Sequence, residues 1–335
     1  MTLSIHSPDE LIAAIPHLLG FKAEESIVFV PLRADLPLAR VDLPTTASQR
    51  NEAWGAIRGA FSRYAQPGAS VAIVCMTHDQ QAADLIGHDY AVRLASIGID
   101  TPLKLSADAT DWYDLDSGES GVQSEGARNR LAATTVLAGR AHPVSDRDAL
   151  ATSLVGDREP VAQFLLRTRD ESAQRSPGQD EQWALGRLQQ FQADGVRLSD
   201  SDAARLLVTV ESIPVRDELW NDMRRDNANS HVALWTDLTR RAPDEVRAGP
   251  ASLLGFAAWQ SGNGAMAWCA LDQVPKDKRY VLADLVAAAI QTGMHPREWE
   301  AVKAAPPQRE VERGSDFILG HARAQTGPTR PAPGI

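Results

Sequence analysis

Ala69-Ser70-Val71-Ala72-Ile73-Val74-Cys75-Met76 is the stretch that decides the fold. It is a continuous apolar run of strand length without polar alternation, the pattern of a strand buried on both faces. Such a strand needs cover on both sides, and its flanks supply helices. Residues 49–64 carry Trp54, Ile57 and Phe61 on one face. Residues 79–97 set Ala82, Ile86, Tyr90, Leu94 and Ile97 in one stripe.

Upstream, Leu3-Ser4-Ile5 reads as a short strand. Ser7, Pro8 and Glu10 then form a helix start, with Ser7 as N-cap and Glu10 completing a capping box. Leu11, Ile12, Ile15, Leu18 and Leu19 follow at helical spacing, with Pro16 expected to kink or end the helix and Gly20 to stop it. Residues 26–32 and 38–44 read as a hairpin through Asp35 and Pro37, and 101–105 as a further strand. The order β-α-β-β-α-β-α-β predicts an α/β fold over residues 1–124, a mixed sheet covered by helices.

Residues 108–125 hold Asp108, Asp111, Asp114, Asp116, Glu119 and Glu125 without a Lys or Arg. A solvated acidic loop is the plain reading; hard-cation binding is the sharper one, but no D-x-D-x-D-G spacing is there. From 125 onward the pattern is all helix, in segments 125–140, 145–155, 159–172, 180–194, 200–211 and 215–225, with Pro177-Gly178 as the clearest loop. Further helices follow around Val232, Trp235 and Leu238, then at 253–260, 265–271 and 280–292. Alanines between large aromatics, with Gly262-Asn263-Gly264 between two helices, suggest a tetratricopeptide-like hairpin pair inside a helical domain spanning 125–305. Residues 306–335, rich in Pro and Gly, are expected to be a disordered tail.

The 335 residues include 34 basic and 44 acidic side chains, a net charge of −10. That argues against wrapping nucleic acid by bulk electrostatics; local contact would need Arg224, Arg225, Arg240 and Arg241 to converge. Cys75 and Cys269 are too few for a disulfide framework or a four-thiolate zinc site, and both read as small buried hydrophobes. No run of 18 apolar residues and no signal-like start occur, so no membrane association and a cytoplasmic location are expected.

Four stretches resemble one known family: Leu18-Leu19-Gly20-Phe21 with Ser26; Arg40-Val41-Asp42-Leu43-Pro44; Val215-Arg216-Asp217; and Leu253-Leu254-Gly255-Phe256-Ala257-Ala258-Trp259 through Gly262-Asn263-Gly264-Ala265 to Ala270-Leu271. Together they are similar to an actinobacterial family called domain of unknown function 4192, over residues 8 to about 299. The resemblance implies no activity. Many family members carry a cysteine-bearing loop after a tryptophan-containing strand; the corresponding stretch here, 112–121, has no cysteine.

Two sets of residues are candidates for function. Arg40 and Asp42 stand two apart on a strand and so share a face. With Trp112 and Asp114 they would line a ligand site at the junction of the two domains, Arg40 holding an anion and Asp42 or Asp114 handling a proton or cation. A structural ion pair at a sheet edge is the plainer reading of Arg40 and Asp42. Arg216, Trp235 and Trp259 would line an interaction groove between helices, although aromatics at helical spacing usually fill a core. P-loop, dinucleotide and nucleophile-elbow motifs and His-Glu-x-x-His are missing from the sequence, and His78, His88 and His231 read as ordinary surface or helix-end histidines. The sequence favours a non-catalytic interaction or regulatory protein that binds a protein or peptide, with no cofactor and no metal. A small-molecule-binding protein or enzyme is the alternative, and enzymatic activity is left open.

Overall fold

The apolar run forms β3 (Ser70–Met76), near the middle of a six-stranded sheet. This computed structural model describes residues 7–33, 36–137, 142–277 and 279–304; the expected strand at 3–5 and the tail at 306–335 lie outside them. The elements are α1 (Pro8–Leu19), β1 (Ser26–Arg33), β2 (Ala39–Asp42), α2 (Ala47–Arg63), β3, α3 (Gln80–Ala95), β4 (Asp100–Ala107), β5 (Asp111–Asp114) and β6 (Ser120–Val122). Strand order is β2-β1-β3-β4-β5-β6. Only β3 and β4 run parallel, joined by the α3 crossover; the other neighbours are antiparallel.

The two faces of the sheet feed two cores. Ile27, Phe29, Val71, Ile73 and Cys75 pack under α2 and α3, against Ile57, Phe61, Ile86, Tyr90 and Leu94. Phe29 meets Phe61 and Tyr90 edge to face, with centroids 5.6 and 5.3 Å apart. Val28, Val30, Ala72, Val74, Leu105 and Ala107 point the other way. They join one apolar core with α1 and with helices of the second half of the chain, running on to Met294. Hydrophobic contact is thus continuous across residue 124.

The second half contains α4 (Glu125–Leu137), α5 (Arg147–Thr152), α6 (Glu159–Ala173), α7 (Pro177–Asp194), α8 (Asp200–Thr209), α9 (Ile213–Asp222), α10 (Ala228–Arg241), α11 (Ala248–Gln260), α12 (Gly264–Leu271), α13 (Val281–Gln291) and α14 (Pro296–Ala304). Every residue of α11 is buried.

Four expectations need correction. The acidic stretch is the β5–β6 hairpin, because Asp108 and Asp114 spend carboxylate oxygens on backbone amides and so nucleate turns at each end of β5. Pro177 opens α7 after its N-cap Ser176 and does not mark a loop; its missing amide costs nothing at a first helical position. Ser7 occupies the N-cap of α1, but its hydroxyl donates to Asp9 at 2.5 Å and closes no capping box. Pro16 does not end α1, which runs three residues further to Leu19; Gly20, at φ +85°, then stops it.

A second contact ties the end of the described chain to the first half. Gly293 lies so close to α2 that a Cβ there would sit 2.3 Å from Ala60 Cβ, and its φ is +65°. Just beyond, Glu298 pairs with Arg63 at 2.6 Å and accepts the Tyr64 hydroxyl proton, while Trp299 stacks on Trp220 with centroids 5.2 Å apart. Gly293→Ala therefore both strains the backbone and overpacks against α2. It should lower the unfolding free energy by about 2–4 kcal/mol in urea titrations.

Candidate functional site

Register places all four residues expected at the junction on one face of the sheet. Asp42, Ser26, Met76, Ala107, Trp112 and Gly121 form one cross-strand row, and Arg40, Val28, Val74, Leu105 and Asp114 form another. Arg40 and Asp42 are brought together, at 2.6 Å. Trp112 and Asp114 are not: four strand spacings separate β2 from β5, about 19 Å. The Arg40 guanidinium also donates to Ser26 Oγ at 3.0 and 2.7 Å and lies 5.8 Å from the Phe21 ring centroid. It clasps edge strand β2 to β1. Trp112 covers Gly121, where a Cβ would come within 2.8 Å of the indole. Asp114 is tied into the hairpin turn; burial raises its pKa, but the Ser117 and Asp116 amides and nearby Lys104 outweigh that and leave it lowered.

The groove residues are inside the helical body. Trp235 is fully buried, Trp259 is 6% exposed and Arg216 is 8% exposed. Trp259 donates its indole proton to the Met294 carbonyl, and Arg216 is held by Asp217 and by the Tyr280 ring. Trp235 donates to His231 Nδ1 at 3.3 Å, which obliges His231 Nε2 to carry the proton it gives Asp222 at 2.9 Å. Arg241 is buried between Asp200 and Asp237 and Arg224 pairs with Asp226, so the four arginines form no free basic face. Cys75 and Cys269 are buried free thiols.

The structure instead opens a crevice of about 230 Å³ where the parallel strands end. It is lined by Thr77 and His78 after β3, by Gln80 at the start of α3, and by Ser106, Ala107 and Asp108 at the end of β4. Asp111, Trp112, Tyr113 and Ser120 of the hairpin complete it. Strand register sets Ser106, Tyr113 and Ser120 side by side in one row, on the α3 face. Alternation puts the Trp112 ring on the opposite face, so of the expected residues only Trp112 reaches this crevice, and not as its aromatic platform.

Two pairs organise the mouth. Asp108 Oδ1 accepts the Thr110 and Asp111 amides at 2.7 and 2.9 Å and the Thr110 hydroxyl at 3.1 Å, leaving Oδ2 for His78 Nδ1 at 3.1 Å. Those amides, Asp111 first, hold the Asp108 carboxyl below its usual range, with His78 adding to the effect. The His78 side chain is 80% exposed. Beside them Thr77 Oγ1 donates to Glu25 Oε1 at 2.9 Å. Glu25 has φ +40°, a left-handed backbone rare for a side-chain-bearing residue, and it is the only such non-glycine among the described residues. Its conformation is fixed by Ser26 Oγ donating to the Glu24 carbonyl at 2.5 Å and by Leu43 N donating to the Glu25 carbonyl at 2.8 Å. Strain held this firmly tends to gather at functional sites. Among the described residues no group of three or more His, Cys, Asp or Glu is placed to hold a metal ion.

A second hollow, about 410 Å³, lies between Asp244, Arg247 and residues 272–277. Arg247 there is already committed to the Ala242 carbonyl and to Asp244.

A family model described as Domain of unknown function (DUF4192) matches residues 8–297. The chain belongs to this family. The match takes in every strand of the DUF4192 sheet, the whole crevice and both halves of the core. No curated protein and no solved structure matches the chain. Among the described residues of this DUF4192 protein, no helix is long and apolar enough to cross a membrane.

Sequence reading passed over Thr77, Ser106 and Ser120, took His78 for an ordinary surface or helix-end histidine, and placed Asp108 in an acidic loop. The signal was available in the β3-α3-β4 crossover, since ligands of open α/β sheets gather outside the carboxyl ends of parallel strands.

His78 makes one exposed contact, while Asp108 holds a turn. His78→Ala should therefore leave stability within about 0.5 kcal/mol, and Asp108→Ala should lower it by about 1–2 kcal/mol, both read by urea unfolding. Asp222 supplies a pH test. The hydrogen bond from His231, against opposing burial and with help from Gln192, lowers its pKa from 3.8 to about 2. A carboxyl depressed in the folded state stabilises above its unfolded value, and that contribution disappears as pH falls through the folded one. The urea midpoint of the native protein should thus drop between pH 3.8 and about 2, with a shallower slope in Asp222→Asn.

Proposed function

We propose that this chain is a cytoplasmic small-molecule-binding protein whose site is the crevice at the carboxyl ends of β3 and β4. The observation that carries the reading is the coincidence of a cavity with that end of the only parallel strand pair described, lined by hydroxyls, an imidazole and two carboxylates. At about 230 Å³ and open to solvent on one side, the crevice takes a small ligand or the end of a larger one. Asp108 and Asp111 border it and no Lys or Arg does, which favours neutral or cationic ligands over anions.

A protein or peptide partner remains the competing reading. Its groove residues Arg216, Trp235 and Trp259 are buried, and α11, half of the expected tetratricopeptide-like pair, presents no free face. The small-molecule reading therefore has the better support.

A fragment screen followed by amide NMR tests it. Neutral and cationic fragments should shift the resonances of Thr77, His78, Ser106 and Asp108 saturably, and Ser120→Trp, which fills the crevice from its exposed side, should abolish the shifts. Hits that all map elsewhere, or that bind Ser120→Trp equally well, refute the site.

A further inference from the structure

The crevice contains an imidazole whose chemistry is set by its neighbour. Asp108 is anchored by its own turn, through two amides and a hydroxyl on Oδ1, so its position does not depend on His78. Its second oxygen faces His78 Nδ1. A carboxylate accepts a proton from that nitrogen, which fixes the Nδ1–H tautomer and leaves the lone pair on Nε2. Nε2 has no protein partner among the described residues, and the ring is exposed to water. A surface ion pair of this kind adds little stability; an Asp-oriented imidazole beside a cavity has the parts of a general base.

The start of α3 provides the second element. Thr77 Oγ1 takes up the Asp79 amide, and Asp79 caps the Ala82 and Ala83 amides with its carboxylate and carbonyl. Gln80 and Gln81 carry the amides left over at this helix end, and Gln80 lines the crevice. Unsatisfied amides at a helix N-terminus stabilise developing negative charge on oxygen.

We propose that His78 and Asp108 are a general-base dyad that activates water to hydrolyse a small neutral ester held in the crevice; the proposal rests on the binding site described above. His78 Nε2 takes one proton from water as the water oxygen bonds to the carbonyl carbon. The carbonyl π pair moves onto its oxygen, on the side of the crevice lined by Gln80 at the start of α3. On collapse the bond from carbon to the leaving oxygen breaks, and the imidazolium returns its proton to that oxygen. The products are a carboxylic acid and an alcohol, and no oxidant, reductant or metal is consumed. The volume of the crevice favours a short acyl chain with the leaving group toward the open side, and bordering carboxylates disfavour anionic substrates.

The test uses p-nitrophenyl acetate and butyrate with the full chain and three variants. The native protein should hydrolyse them with saturation. His78→Gln, which removes only an exposed ring, should lower kcat about 100-fold with KM little changed. Asp108→Asn keeps an oxygen for the turn but loses the tautomer lock, so kcat should fall and ring nitrogen NMR of His78 should show protonation moving to Nε2. Ser120→Trp should abolish turnover. Native hydrolysis no faster than buffer, or a His78→Gln rate within twofold of native, overturns the dyad. If Ser120→Trp is inactive while His78→Gln is unaffected, the crevice stands and the dyad falls; if neither variant differs from native, both fall.

Discussion

Burial of the central strands on both faces is the constraint from which the rest of the molecule follows. A sheet whose β1 and β3 alternate Ile27, Phe29, Ile73 and Cys75 on one side with Val28, Val30, Ala72 and Val74 on the other has no solvent face. Helices α2 and α3, adjacent in sequence, satisfy one side. The other is satisfied only by chain that comes after residue 124, together with α1. At roughly 1.5–3 kcal/mol for each large side chain removed from water, neither half can give up this contact cheaply. The helical body is therefore part of the sheet's own core.

That arrangement also explains where the molecule can afford an opening. Both sheet faces are filled, so the carboxyl ends of β3 and β4 are where polar side chains can stand outside the packing without being buried unpaired. The crossover through α3 brings a helix start to that end, and the β5–β6 hairpin walls it. Asp108 and Glu25 are held there by backbone hydrogen bonds and turns, which keeps their geometry independent of any ligand.

Much of the architecture was legible because periodicity reports burial directly. The unbroken apolar run at 69–76, the stripe from Ala82 to Leu94 and the helical second half all have one-dimensional signatures that survive folding. Arg40 and Asp42 were readable as a pair for the same reason, since strand alternation alone puts them side by side. The hairpin at 111–122 was not, because its turns depend on Asp108 and Asp114 choosing backbone amides over water, a choice that composition does not reveal. The crevice was missed for a different reason: Ser106 and Ser120 become neighbours only through register across β5, and His78 becomes more than a surface histidine only through a residue thirty positions away. Trp235 and Trp259 misled in the opposite direction, since the same helical spacing describes a groove and a core.

The two thiols, one buried in each half, carry a consequence for following the protein's motions. Burial pushes the Cys75 thiol up to about 12, and its sulfur donates to the Ala83 carbonyl under α3; burial also raises the Cys269 thiol, inside α12. Neither is a thiolate near neutrality, so alkylating reagents reach them only when the surrounding packing opens. Their labelling rates form a built-in pair of clocks, one for the sheet and one for the helical body. Cys75 sits in the core under α2 and α3 and Cys269 in the core that joins the other sheet face to the helices, so a difference between the clocks reports one core opening without the other.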